Sequence, residues 1–303
     1  MIRVRRSAFA VLAGFVLVAA AACSSGSATN APGAGSSGAA GGSGAPAVNQ
    51  NDPNSIITSV INGGSDIKSF HLKISLSGTI KAAALKDAMA SSGMQITSDV
   101  KLDGTAIEGD VDVANSAVHL SANVPAMAML GNIPITGDVI VVSNTMYYKV
   151  SLLGPKYTKT DLGSLASDLP VSIPSILPSP GASAMTAVTD QIDQLRTQMK
   201  AAGVVATLVG VEKIGGQDAN HINVSVPIAK LNAEIAAQAS GGPAVTIDSA
   251  SVDFWVYKSS NRLAQMEVKG ASSAFGSLDL MITVTNYDQP VTISAPAASD
   301  IGA

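Results

Sequence analysis

The sequence predicts an α+β protein: one large antiparallel β-sheet accompanied by a few short helices. Three observations carry this reading. Apolar and polar residues alternate with a period of two in segment after segment from Ser69 onward. Turn residues separate these segments at intervals of roughly 8 to 15 residues, which suits consecutive antiparallel strands. Helical spacing of apolar residues is clear only in short segments.

The first helix is expected over Asn54–Gly63, with Ile56, Ile57, Val60 and Ile61 on one side. The first strand runs from Ser69 to Ile80. Phe70, Leu72, Ile74 and Leu76 face one way, and His71, Lys73, Ser75 and Ser77 the other, as in a half-buried antiparallel strand. Lys81–Ser91 is helix-prone. Val100 and Leu102 alternate with charged residues up to a break at Gly104, after which Val111 and Val113 alternate with Asp110 and Asp112. Val118, Leu120, Ala122 and Val124 alternate with His119, Ser121 and Asn123. Asp138–Val142 and Met146–Ser151 form a hairpin about Ser143-Asn144, and Lys156–Thr160 adds a short strand.

Leu169–Ala184 is rich in Pro and Ser but also apolar, and reads as an irregular connection inside one domain. Thr186–Ala202 has Val188, Ile192, Leu195 and Met199 at helical spacing, and Gly203 supplies the stop. Strands Val205–Lys213 and Asn220–Val226 flank Gly215-Gly216. Pro227–Ala239 is a helix with Pro227 in its first turn and Ile228, Leu231 and Ile235 as its stripe. Thr246–Lys258 and Asn261–Gly270 flank Ser259-Ser260, and Leu278–Thr285 and Val291–Ser294 close the sheet. A sheet with one apolar face must cover that face or bind something there.

Residues 1–22 read as a secretory signal. Arg3, Arg5 and Arg6 precede the uncharged apolar run Ala8–Ala22. As a helix that run spans about 22 Å, short of a hydrocarbon core of about 30 Å. Cleavage falls either after Ala20, as in an ordinary secreted protein, or just before Cys23. Val18-Ala19-Ala20-Ala21-Ala22-Cys23 is similar to a lipobox, with Ala20 where Leu is preferred. Cys23 is the sole cysteine and stands where a lipobox would use it, so it is the expected lipidation site. Acylation at Cys23 would bring the two or more chains that stable anchoring needs. The expected location is the extracytoplasmic face of the cell membrane.

Residues 23–52 are expected to be a Gly/Ser/Ala tether without large apolar groups to offset its ordering entropy. A flexible coil of this length has an r.m.s. reach of roughly 30 Å. Residues 53–303 then form a single domain. Without residues 1–22 the chain keeps 15 basic and 22 acidic residues, a net charge of −7. This argues against a phosphate-backbone binder, and no nucleic-acid partner is expected.

No catalytic chemistry is evident. The three histidines, His71, His119 and His221, sit at polar-phase positions or beside a turn and read as solvated. None has a metal-ligand spacing to cysteine or carboxylate, and no metal is expected. Asp110 and Asp112 read as a solvated pair on one strand face. G-x-S-x-G and P-loop signatures are absent from the sequence. No enzyme activity and no cofactor are expected.

Several segments resemble the LppX/LprA/LprF/LprG family of actinobacterial lipoproteins, within the LolA/LolB-like superfamily. They are Ser69-Phe70-His71-Leu72-Lys73-Ile74; Thr145-Met146-Tyr147-Tyr148-Lys149; Gly210 to Ile222; Val252-Asp253-Phe254-Trp255-Val256-Tyr257-Lys258 with Asn261-Arg262-Leu263; and Leu280 to Ile293. In the last, Asp288 stands where the family has Gly. The resemblance implies a curved half-barrel sheet with helices over its concave face and an apolar cavity between them. It also implies a carrier that binds an acylated lipid or lipoglycan and moves it across the envelope.

On that reading the cavity is lined by Phe70, Leu72, Ile74, Leu76, Val118, Leu120, Ile192, Leu195, Met199, Leu231 and Ile235, with Met127 and Met129 as an adaptable gate. The partners expected are the lipid or lipoglycan and the cell membrane, the protein being monomeric; the sequence names no transporter partner. The alternative is a surface lipoprotein with helices packed flush on the sheet, acting as an adhesin, sensor or scaffold.

Overall fold

The computed structural model describes residues 48–63, 66–89, 97–126, 132–162, 203–238 and 246–302. The helix expected over Thr186–Ala202, and with it Ile192, Leu195 and Met199, lies outside the described residues, as do Cys23, Met127, Met129 and the Leu169–Ala184 connection.

Among the described residues twelve strands form one curved, open antiparallel sheet. In chain order they are β1 (Ser69–Ile80), β2 (Val100–Lys101), β3 (Thr105–Asp112), β4 (Ala117–Val124), β5 (Ile135–Val142), β6 (Thr145–Val150), β7 (Thr158–Asp161), β8 (Val205–Ile214), β9 (Gln217–Ser225), β10 (Ser249–Tyr257), β11 (Leu263–Ser272) and β12 (Gly276–Thr285). Among the described residues the helices are α1 (Pro53–Gly63), α2 (Ala82–Met89) and α3 (Ile228–Gln238), with a 3-10 turn at Ala298–Asp300.

The spatial order is β7-β6-β5-β4-β3-β1-β12-β11-β10-β9-β8, with β2 pairing the end of β1. Two meanders thus flank β1, which pairs with β3 on one side and β12 on the other. Connections are tight where the residues permit a left-handed backbone. Ser143 and Asn144 both have positive φ, as do Gly215 and Gly216, the geometry that joins twisted antiparallel strands by two residues.

The expected alternation fixes the two faces. Ile74 of β1 lies between Ile282 of β12 and Ile107 of β3, and the same row continues through Met266, Phe254, Ile222 and Leu208. Leu76, Leu280, Val268, Val252, Val224 and Ala206 form the next row. On this side of β1, α1 packs against β8 and β10. Ile56, Ile222, Val224, Met266, Ile282 and Val284 are buried in one cluster, and Ile56 and Ile222 have no exposed surface.

The described residues begin before α1. Val48 packs on this cluster, and Gln50 donates from Nε2 to Asn261 Oδ1 at 2.8 Å while Asn220 Nδ2 donates to Gln50 Oε1 at 2.5 Å. This explains how Asn220 can lie buried on the apolar face.

Three expectations are corrected. Val291–Ser294 is not a strand; it belongs to an extended tail after β12. Ser69 Oγ donates to Gln289 O at 2.5 Å, Ile293 and Ile301 pack beside Tyr147 and Tyr157, and Ile301 bridges Tyr157. Asp112 is buried rather than solvated, because it closes the β3–β4 turn by accepting from the Asn115 backbone N–H at 3.0 Å and Nδ2 at 2.8 Å. The histidines are not simply solvated, as the site geometry shows.

Candidate ligand-binding face

The apolar face on the β3–β7 side of β1 differs from the closed cluster. Phe70, Val111, Val118, Val141 and Met146 form one row. The next runs Leu72, Gly109, Leu120, Val139 and Tyr148. The third runs Ile107, Ala122, Gly137 and Val150.

Val118, Leu120, Val139, Met146 and Tyr148 are half-buried and Ile107 is exposed, while Val141, like Phe70 in the same row, is buried. Gly109, Ala122 and Gly137 leave three adjacent strands with little or no side chain at those points. At Gly109 this is obligatory, since a Cβ would come within 1.9 Å of the His119 carbonyl oxygen. The small side chains leave a trough between larger ones, and the same three residues also border the concavity of the opposite face.

Of the predicted lining residues, the structure puts Phe70, Leu72, Ile74, Leu76, Val118 and Leu120 on this one face. Phe70 is buried, and Leu72, Ile74 and Leu76 pack on the closed cluster. Leu231 and Ile235 are half-buried in α3, which Asn232 ties to the lead-in of β10 through Ile247 N and O at 2.8 and 2.9 Å.

The opposite face holds a polar cleft that sequence reasoning missed. An open concavity of about 1030 Å3 is lined by His71, Glu108, Asp110, His119, Asp138 and Lys149, among others, and by none of the predicted lining residues. Every histidine of the chain is on this face and bonded to carboxylates of neighbouring strands. His71 Nδ1 meets Asp110 Oδ1 at 2.8 Å, and His119 Nε2 meets Asp138 Oδ1 at 2.9 Å. His221 bridges Glu212 and Asp253 at 2.8 and 2.9 Å and stacks on Trp255 at 4.4 Å between ring centroids. The signal that could have found these pairs is the strand register, which brings together residues as far apart in sequence as 71 and 110.

Asp138 is the most bonded of these carboxylates. Burial pushes its pKa up, but hydrogen bonds from Tyr157, Ser121 and His119 outweigh it and hold the carboxyl below its ordinary value. Burial first, and then the Asp138 bond and charge, push the Tyr157 phenol up to about 12. Hydrogen bonds from Trp255 and His221 hold Glu212 below its usual value. The groups lining the cleft thus largely bond one another. Among the described residues no cluster of three or more His, Cys, Asp or Glu is placed to hold a metal ion, and no helix is long and apolar enough to cross a membrane.

The final motif builds a latch. Asp288 has a φ of +58°, the left-handed region that favours glycine. Its carboxylate accepts from the Lys68 backbone N–H at 2.8 Å and pairs with Arg262 at 2.5 Å. Burial raises its pKa, and these partners together bring it below the ordinary value. Arg262 also lies over the Tyr287 ring at 5.1 Å, and Tyr287 Oη donates to Leu263 O at 2.6 Å.

No family model matches the chain, and no curated protein matches it. Among solved structures it is similar to the lipoprotein LppX of Mycobacterium tuberculosis, with 13% identity and a TM-score of 0.41 over 79% of this chain and 96% of that one. It is also similar to LprF of Mycobacterium bovis, with 17% identity and a TM-score of 0.39 over 80% and 96%. A LolA superfamily protein of Nitrosomonas europaea matches at 8% identity and a TM-score of 0.24 over 79% and 94%.

Proposed function

We propose that the chain is a membrane-anchored lipoprotein that binds an acylated lipid or lipoglycan against the apolar face of its sheet and carries it across the cell envelope. The observation that carries this reading is the contrast within that face: closed packing under α1, and half-buried aliphatic rows around Gly109, Ala122 and Gly137 on the β3–β7 side. Such a surface suits acyl chains, each buried CH2 being worth about 0.8 kcal/mol. No catalytic group takes part. Cys23 holds the protein to the extracytoplasmic face of the membrane, and residues 24–47 supply the tether.

The test is mass spectrometry of organic extracts from the purified full chain, together with uptake of a fluorescent fatty acid. Co-purified lipid and saturable uptake are expected, and Ala122→Phe, which fills the trough, lowers uptake by about tenfold. A chain that carries no lipid and takes up no probe is a scaffold or adhesin instead. Anchoring has its own readout: Cys23→Ala releases the protein into the medium.

A further inference from the structure

One rim of the sheet is apolar and the other is polar. At the first rim β1, β4, β6, β9 and β11 end, and β3, β5, β8, β10 and β12 begin. Leu152 and Leu153, in the turn after β6, are 57% and 75% exposed, Ile133 before β5 is 51% exposed, and Phe275 between β11 and β12 is 38% exposed. The turn holding the leucines is fixed to β5, since Ser151 N–H donates to Thr136 O at 2.9 Å and Thr136 N–H to Ser151 Oγ at 3.1 Å. Phe275 stands four strands from β5, about 20 Å along the rim. The turns of the opposite rim are Val113-Ala114-Asn115-Ser116, Ser143-Asn144, Gly215-Gly216 and Lys258-Ser259-Ser260; the large apolar residue among them, Val113, is packed on the core cluster and not exposed.

We propose that the rim formed by Ile133, Leu152, Leu153 and Phe275 docks on the bilayer surface, so that the trough opens toward the membrane. This rests on the carrier reading. The occupant is a bilayer, not a protein groove, for two reasons. The apolar groups are single side chains on turn tips spread along an edge, which a fluid interface accepts one by one without a matching pocket. The charges suit a zwitterionic surface, which takes both signs: exposed Lys156 follows the leucines in sequence, exposed Lys81 is bonded to Phe275 O through its backbone N–H, and three exposed carboxylates of this rim accept from backbone amides. Asp99 accepts from Ala82, Asp103 from Gly78 and Asp248 from Ser273. The described chain starts at Val48, two residues before Gln50, which bonds Asn261 at the polar rim, so the 25 residues from Cys23 to Ala47 must reach past the sheet for the apolar rim to touch the membrane. Fully extended they span about 85 Å, against about 40 Å for the 12 residues of β1.

The full chain is mixed with excess phosphatidylcholine/phosphatidylglycerol vesicles carrying brominated acyl chains, so the readout does not depend on the anchor. In Leu153→Trp the added fluorescence is quenched at least about twofold, while in Ser259→Trp, on the other rim, it is unchanged. Absence of quenching at 153, or equal quenching at both, overturns the proposal. In a second arm, Leu152→Ser with Leu153→Ser slows transfer of a fluorescent phospholipid between vesicles about tenfold and leaves binding of a monomeric fatty-acid probe unchanged. Loss of probe binding in that variant would place the leucines in the cavity and overturn docking. If the parent chain binds no probe, the carrier reading fails by itself, and the quenching arm still decides whether this rim docks.

Discussion

On the β8–β12 side of β1, α1 lies on the apolar face, and Ile56, Ile222 and Val224 are sealed from solvent. On the β3–β7 side the same alternating pattern continues, but Val118, Leu120 and Val139 stay half-buried around glycine and alanine positions. The polar face reverses the contrast, since its cleft and the network centred on Asp138 lie across β1 and β3–β6. Alternation makes a sheet; the side chains that α1 lays over it and the residues missing from it decide which half is core and which half is available.

The largest expected effect breaks the closed half. Ile222→Ala costs about 2–5 kcal/mol in urea unfolding, whereas Leu120→Ala, on a half-buried row, costs at most about 1–2 kcal/mol. Equal losses would mean that both halves are packed alike. Next is Asp138→Asn, which leaves Tyr157, Ser121 and His119 without their carboxylate and costs about 1–3 kcal/mol at pH 7. Its pH dependence has a definite sign. A carboxyl whose folded pKa is lowered stabilises the fold above its unfolded value of about 3.9, and that contribution is lost as pH falls through the folded value. The stability gap between parent and Asp138→Asn should therefore hold from pH 7 to about 5 and close only in more acid solution.

Smaller still is the latch at Asp288. Asp288→Ala removes the bonds to Lys68 and Arg262 and leaves a Cβ at positive φ; Asp288→Gly removes only the bonds. The alanine variant should melt lower, by a difference of about 1 kcal/mol. The smallest effect is at Lys213 and Asp218, a pair 70% and 58% exposed, where Lys213→Ala should leave the urea midpoint unchanged.

Much of this was legible in the residues. Phe70, Leu72, Ile74 and Leu76 gave away the inner face of β1, and Ser143-Asn144 and Gly215-Gly216 marked hairpins, because period and turn chemistry are local properties. What lies across the strands was not. His71 and Asp110 meet only through register, and Asp112 is buried only because Asn115 folds back on it. Val291–Ser294 has the composition of a strand but no free edge beside β12, which is already flanked by β1 and β11, and the tail makes its bridge only further on, from Ile301 to Tyr157. The departure at Asp288 was visible as a missing glycine, and the structure supplies its reason: one carboxylate holds together the approaches to β1 and β11.

The position of β1 has a consequence for how the chain matures. His71 pairs with Thr285, so the first strand acquires its second neighbour only when the last one arrives. A chain emerging N-terminus first would complete the β3–β7 meander against β1 and then wait, with the other edge of β1 bare, through the whole second meander. Pairing across so many residues is slow, and a bare edge recruits other chains. A stop codon before Gly276 would leave β1 and β11 both unsatisfied, so a truncation of under 30 residues should be recovered as aggregate and not as a smaller folded protein.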